Sequence, residues 1–261
     1  WGPWETKPSI DDKSGGHQGA IVDMPDGSWY GFVMVDAGAI GRMTNISPIF
    51  WKDGWPWWGA PDRPDFVPDR SPKPIRGHGF AEPPSSDDFS NPVLGSQWQW
   101  NHNPQNDLWS LDERKGYLRL TTGRIDTSFV TTRNTLTQRT IGPESPGETS
   151  LDLSGLKDGD IAGFGLLQDK YAYVAVKLEN GKKTIQMVKG REGKVIEEIP
   201  YSGDEIFFKI TCDFKDRKDL AHFYYAENGK HWKEIGEPLK MEYTLGQFMG
   251  YRYALFNYAT K

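Results

Sequence analysis

Glu205-Ile-Phe-Phe-Lys-Ile-Thr-Cys-Asp-Phe214 carries an apolar side chain at every second position, so Ile206, Phe208, Ile210, Cys212 and Phe214 share one face of a predicted strand. On that face Cys212 reads as a buried, inert thiol rather than a nucleophile. Similar short runs lie on both sides. Strands are expected near 117–120, 161–168, 171–178, 184–189, 195–199, 221–226 and 247–257, with Asn180-Gly181 and Asn228-Gly229 as the strongest hairpin turns. Nearer the N-terminus, residues 19–35 read as a hairpin around Asp26-Gly27, followed by a strand at 45–50. No window holds a 3.6-residue apolar stripe over three turns, so the chain is predicted to be all-β, its larger part a two-sheet, jelly-roll-like sandwich.

Composition agrees with this class: 11 Trp, 11 Tyr, 13 Phe, 29 Gly and 18 Pro in 261 residues suit turn-rich sheets whose flat side chains pack together or stack on sugars. A net charge of -5 without a basic stripe argues against a nucleic-acid partner. No apolar run approaches the length of a membrane-spanning helix. The single cysteine forbids an internal disulfide, and with no signal-peptide pattern the compartment stays open.

Residues 59–85 include Pro61, Pro64, Pro68, Pro72, Pro74, Pro83 and Pro84, which precludes a central strand and predicts a linker or strap. Three regions follow: 1–58, the Pro-rich 59–85, and the sandwich 86–261. Residues 17–58 read as one four-stranded propeller blade with no second copy in the chain, and a repeat unit cannot bury its faces alone.

Several short motifs carry a family resemblance. Gly2-Pro-Trp-Glu5, His17-Gln-Gly19, Val22-Asp-Met-Pro-Asp-Gly27, Trp29-Tyr30, Asp36-Ala-Gly-Ala-Ile-Gly-Arg42 and Trp51-Lys-Asp-Gly-Trp-Pro56 resemble, in order and spacing, the last blade of five-bladed propellers of glycoside hydrolase family 43. Asp87-Asp-Phe89, Leu94-Gly-Ser-Gln-Trp-Gln-Trp-Asn101, Pro104, Trp109-Ser-Leu111, Gly116-Tyr-Leu-Arg-Leu120, Asn134-Thr-Leu-Thr-Gln-Arg139 and Asp158-Gly-Asp-Ile-Ala-Gly163 are similar to the concanavalin A-like sandwich of its β-xylosidases and α-L-arabinofuranosidases. The resemblance implies one propeller blade followed by a concanavalin A-like (jelly-roll) β-sandwich, in an inverting exo-glycosidase that releases xylose or L-arabinose from xylan- or arabinan-derived oligosaccharides. It places the general acid, the general base and a third carboxylate on earlier blades, which are the expected partners. No catalytic residue is assigned here, and this chain alone is not expected to be active. The family pattern also continues past a Leu-Phe-Asn-Tyr-like strand, so the strand ending near Lys261 is expected to leave an open sheet edge.

The same resemblance assigns candidate site residues. Arg42 matches an arginine that holds the terminal sugar, a task suited to a fixed, always-charged fork of donors. His17 matches a histidine near the propeller axis, linked in some members through water to calcium, and Gln18 and Asp36 line or brace the same pocket. Gln138 and Arg139 are expected interdomain contacts, and Asp87 and Asp88 are candidates for a structural calcium, which needs about six oxygens. Trp98, Trp100, His102 and Trp109, with Asn101 and Asn103, could form a carbohydrate platform, although alternation of Trp98 and Trp100 favours a core role. Glu144 and Glu148 read as solvated carboxylates in a Gly/Pro loop. The alternative to an enzyme part is a non-catalytic structural or carbohydrate-binding module.

Overall fold

The computed structural model describes every residue except Asp12 and Ser14, and omits the Pro64 side chain. The chain divides into two compact units, Trp1–Ala37 with Gly41–Ala81, and Gly38–Ile40 with Glu82–Lys261.

The first unit is a sequential antiparallel meander of β1 (His17–Asp23), β2 (Trp29–Asp36), β3 (Arg42–Lys52), β4 (Trp55–Ala60) and the short β5 (Arg63–Pro64). Strand alternation gives this sheet two apolar faces. One carries Val33, Ile49 and Trp58, which close on Val67 as a small core. On the other, Val22, Phe32 and Ile46 are about half exposed, beside Ile75 in an open apolar cavity of about 470 Å³. Gly31 passes under the Trp58 indole, where a Cβ would come within 2.6 Å of the ring. The expected linker is thus partly folded: β5 pairs with β4, Val67 joins the core, and the unit boundary lies at Ala81/Glu82, within the Pro-rich stretch.

The second unit is the sandwich. Its strands are β6 (Trp98–Trp100), β7 (Trp109–Ser110), β8 (Arg119–Leu120), β9 (Leu136–Arg139), β10 (Glu144–Asp152), β11 (Asp160–Leu167), β12 (Ala172–Glu179), β13 (Lys182–Lys189), β14 (Lys194–Tyr201), β15 (Glu205–Asp213), β16 (Leu220–Ala226), β17 (Lys233–Glu234), β18 (Leu239–Lys240) and β19 (Arg252–Ala259). Among the described residues, one sheet runs β14-β13-β12-β11-β19-β9-β6 and the facing sheet runs β10-β15-β16-β17, with β18 also on β16; β7 and β8 form a separate pair. The expected alternation in β15 buries Ile206, Phe208, Ile210 and Cys212 between the sheets, against Phe164, Val174, Ile185 and Met187. On the outer face of the longer sheet, Phe129 is fully buried against Tyr171, Tyr173 and Phe256. Ala39 is also fully buried in this unit's core, and its carbonyl accepts the Tyr251 amide at 3.0 Å.

Three expectations change. Residues 144–152 form β10 rather than a loop: β10 is an edge strand, where Pro146 needs no ladder partner on its free side, and Glu148 pairs with Lys209. The terminal strand leaves no open edge, because β19 pairs with β11 and with β9. Asn228-Gly229 lies in a longer connection between β16 and β17, with Asn228 Oδ1 accepting from the Lys230 and His231 amides, whereas Asn180-Gly181 does form the tight turn between β12 and β13.

Candidate functional site

The four sugar-site candidates of the first unit meet at one end of its sheet. Asp36 and Arg42 are direct cross-strand partners at the close of the β2–β3 connection. A register shift between His17 and Gly19 makes Gln18 a bulge residue with φ 47°. A bulge re-aims a side chain that strict alternation would send to the opposite face. Gln18 therefore reaches the arginine: Arg42 Nη1 donates to Gln18 Oε1 at 2.6 Å, and Arg42 Nε donates to Asp36 Oδ1 at 3.2 Å. The Arg42 side chain is only 14% exposed, and Asp36 is 47% exposed. Two directed acceptors on a planar guanidinium hold its orientation, so the fixed charge and fork are organised in advance.

His17 sits beside this pair. Its Nδ1 lies 2.7 Å from the Gly15 carbonyl, which selects the Nδ1–H tautomer and turns Nε2 toward Asp36 Oδ1 at 4.0 Å. At that spacing a protonated imidazole would join the Asp36–Arg42 pair electrostatically. The tryptophans nearby have other tasks: Trp51 meets the Trp29 ring edge-on, Lys7 lies over Trp57, and Trp58 is core.

In the second unit, Asp87 Oδ1 accepts the Phe89 amide at 2.8 Å and Asp87 Oδ2 accepts Trp98 Nε1 at 2.8 Å. Asp88 caps its own turn through the Ser90 amide. Both Asp87 oxygens thus already face donors. Among the described residues no group of three or more His, Cys, Asp or Glu comes together as metal ligands. Gln138 is 9% exposed and donates to the Ser85 carbonyl at 2.8 Å, inside the same unit. Arg139 is exposed and lies directly across from Arg252 on β19, whose Nε is buried without a partner among the described residues and whose guanidinium pKa is lowered by burial and then by Arg139. Trp98 stacks on Phe89, and Trp100 meets Trp109 at a tilt of 53°, both contacts that pack rings together.

Sequence reasoning missed two features here. Gly38–Ile40 lies within the motif that leads into Arg42, yet core packing of Ala39 and Ile40 and the Tyr251–Ala39 hydrogen bond place it in the sandwich. Phe89 has φ 52°, a left-handed backbone uncommon for a bulky residue, which no sequence pattern marks.

The family described as "Beta xylosidase C-terminal Concanavalin A-like domain" matches residues 86–261. A β-xylosidase of Formosa agariphila is 30% identical across all of this chain, which covers 49% of that protein. A non-reducing end α-L-arabinofuranosidase of Bacteroides ovatus is 27% identical over 81% of this chain and 44% of its own length. Among solved structures, a bifunctional GH43-CE protein of Bacteroides eggerthii superposes with TM-score 0.88 at 48% identity, over 100% of this chain and 34% of that one. A GH43 glycoside hydrolase engineered for both endo-xylanase and exo-arabinofuranosidase activity superposes with TM-score 0.84 at 30% identity, over 94% of this chain and 51% of its own. The chain spans about half the length of the curated relatives it matches.

Proposed function

Because the chain belongs to the family of β-xylosidase C-terminal concanavalin A-like domains, we propose that it is the C-terminal part of an inverting family 43 exo-glycosidase that releases xylose or L-arabinose from hemicellulose oligosaccharides. The acid and base act from blades outside this chain, about 6.5–9.5 Å apart so that a water fits between the base and the sugar. This chain contributes the closing blade, whose Arg42 holds the non-reducing-end sugar through its fork of donors and biases nearby acids by its fixed charge. Gln18 and Asp36 orient that fork, and His17 braces the acidic side of the pair.

The observation that carries this reading is the convergence of Gln18 and Asp36 on one largely buried guanidinium. The state of the blade agrees with it. Of nine buried side-chain polar atoms without a partner among the described residues, five lie in the smaller first unit: Asn45 Oδ1, Ser47 Oγ, Trp57 Nε1, Trp58 Nε1 and Ser71 Oγ. Buried polar groups are rarely left unpaired. Together with two apolar faces, these orphans fit a sheet that packs between neighbouring blades.

The test compares this chain with the longer protein that carries the preceding blades, on aryl β-D-xylosides and aryl α-L-arabinofuranosides. The longer protein should release the pentose with inverted anomeric configuration, and this chain should release none. Hydrolysis by this chain alone, or retention of configuration, would refute the proposal.

A further inference from the structure

The two sheets of the sandwich are unequal. β15 lies over β11 and β16 over β12, so β10 ends the shorter sheet over β19, where the Tyr253 hydroxyl donates to the Ser145 carbonyl, while β9 and β6 extend beyond it. The overhang opens two cavities along the free edge of β10. One, of about 200 Å³, lies between Ser145–Thr149 and Tyr253–Leu255. The other, of about 430 Å³, lies between Thr149–Asp152 and Leu255–Asn257, within the size range of about 300–1,000 Å³ usual for ligand sites. Phe89, with its left-handed backbone, lines both together with Thr149 and Leu255.

The chemistry of the larger cavity selects a class of ligand. Arg114 pairs with Asp152, Arg119 pairs with Glu113 at 2.8 Å, and Asp160 accepts the Lys157 amide at 2.8 Å, while the Lys157 side chain is exposed. Ion pairs thus hold three of the five charged side chains that line it. What remains is hydroxyl-rich, with Thr121, Thr122, Ser150 and Ser154 around apolar Leu255 and Phe256. Asn257 Nδ2 donates to the Leu120 carbonyl at 3.0 Å and so ties β19 to the β8 side of the cavity. Among the described residues β10 is bonded on one side only, to β15, so its alternate backbone amides and carbonyls face the same space. A ligand with many hydroxyls, apolar C–H faces and no charge matches all of these groups.

We propose that this groove binds a segment of a neutral oligosaccharide, with the Thr121, Thr122, Ser150 and Ser154 hydroxyls, the β10 edge and the Arg114–Tyr117 wall as its contacts. The Arg114 guanidinium lies 3.7 Å from the centre of the Tyr117 ring and reaches across to Asp152 at the end of β10. That tie closes the edge at one end, which suits a short glycan better than an added peptide strand. The site needs no catalysis and stands apart from the reading of Arg42.

The experiment is isothermal titration of the 261-residue chain with xylohexaose. Saturable binding is expected, Tyr117→Ala should weaken it by about tenfold or more, and Thr149→Trp should abolish it by filling the space both cavities share. Circular dichroism identifies a variant that fails to fold; if Thr149→Trp does, Tyr117→Ala alone decides. Absence of xylohexaose binding would overturn the proposal, as would binding that the folded variants leave unchanged. So would binding of an extended peptide to the groove in place of the sugar. Loss of activity on replacing Arg42 has no bearing on this outcome.

Discussion

Replacing Asp152 by Asn should remove a stabilisation that exists only above the acid range. The Asp152 carboxylate accepts first from the Ser154 hydroxyl and amide and then from Arg114, and these donors lower its pKa from 3.8 to about 2. One pKa unit corresponds to about 1.4 kcal/mol, so the full shift would be worth about 2.4 kcal/mol. The side chain is 31% exposed, and solvent screening reduces this to about 1–2 kcal/mol. The folded-state pKa lies below the unfolded one, so the stabilisation is fully present above about pH 4 and lost as pH falls through about 2. Urea unfolding of wild type and Asp152→Asn at pH 5.5, 4, 3 and 2 measures this directly. The variant should be less stable by about 1–2 kcal/mol at pH 5.5, and the two curves should converge near pH 2. Arg114→Met should cost less than Asp152→Asn, because Arg114 is the smaller cause. A deficit that stays constant down to pH 2, or none at pH 5.5, would show that these hydrogen bonds do not tune the carboxylate.

Phe129→Ala should destabilise the sandwich by about 3–5 kcal/mol, because the ring is fully buried among three aromatic neighbours on the outer sheet face; equal midpoints in chemical denaturation would refute that packing. Cys212 is 2% exposed and burial pushes its thiol up to about 12, so a thiol reagent at pH 8 should label the folded chain negligibly and the urea-unfolded chain fully. Ala39→Leu should cost about 1–3 kcal/mol by overpacking the sandwich core, although position 39 lies in sequence among blade strands; a neutral effect in thermal unfolding would remove Gly38–Ile40 from that core.

Much of the architecture was readable because the deciding signals are local. The period-2 pattern of residues 206–214, the Asn180-Gly181 turn and the paired tryptophans of 98–100 each name an element and its buried face within a few residues. β10 escaped because Gly142 and Pro143 precede it and Pro146 and Gly147 lie within it, and an edge strand tolerates what a central strand cannot. The pairing of β19 on both sides depends on β9 and β11, which lie far from it in sequence, so no local pattern announced it. The same division applies to the candidate site. The Asp36–Arg42 register follows from the short β2–β3 connection, but the bulge that brings Gln18 to Arg42 is a backbone event that composition does not encode. The groove along β10 was invisible for a further reason: it arises from the unequal widths of two sheets.

The account depends above all on Arg42 holding the terminal sugar, and kcat/KM for an aryl β-D-xyloside or α-L-arabinofuranoside tests it in the protein with all blades present. Losing two charge-assisted hydrogen bonds to sugar hydroxyls, at about 1.5–3 kcal/mol each, predicts that Arg42→Met lowers kcat/KM by about 100-fold or more, with Arg42→Lys recovering only part. An Arg42→Met enzyme that folds normally and keeps wild-type kcat/KM on both substrates would contradict the account.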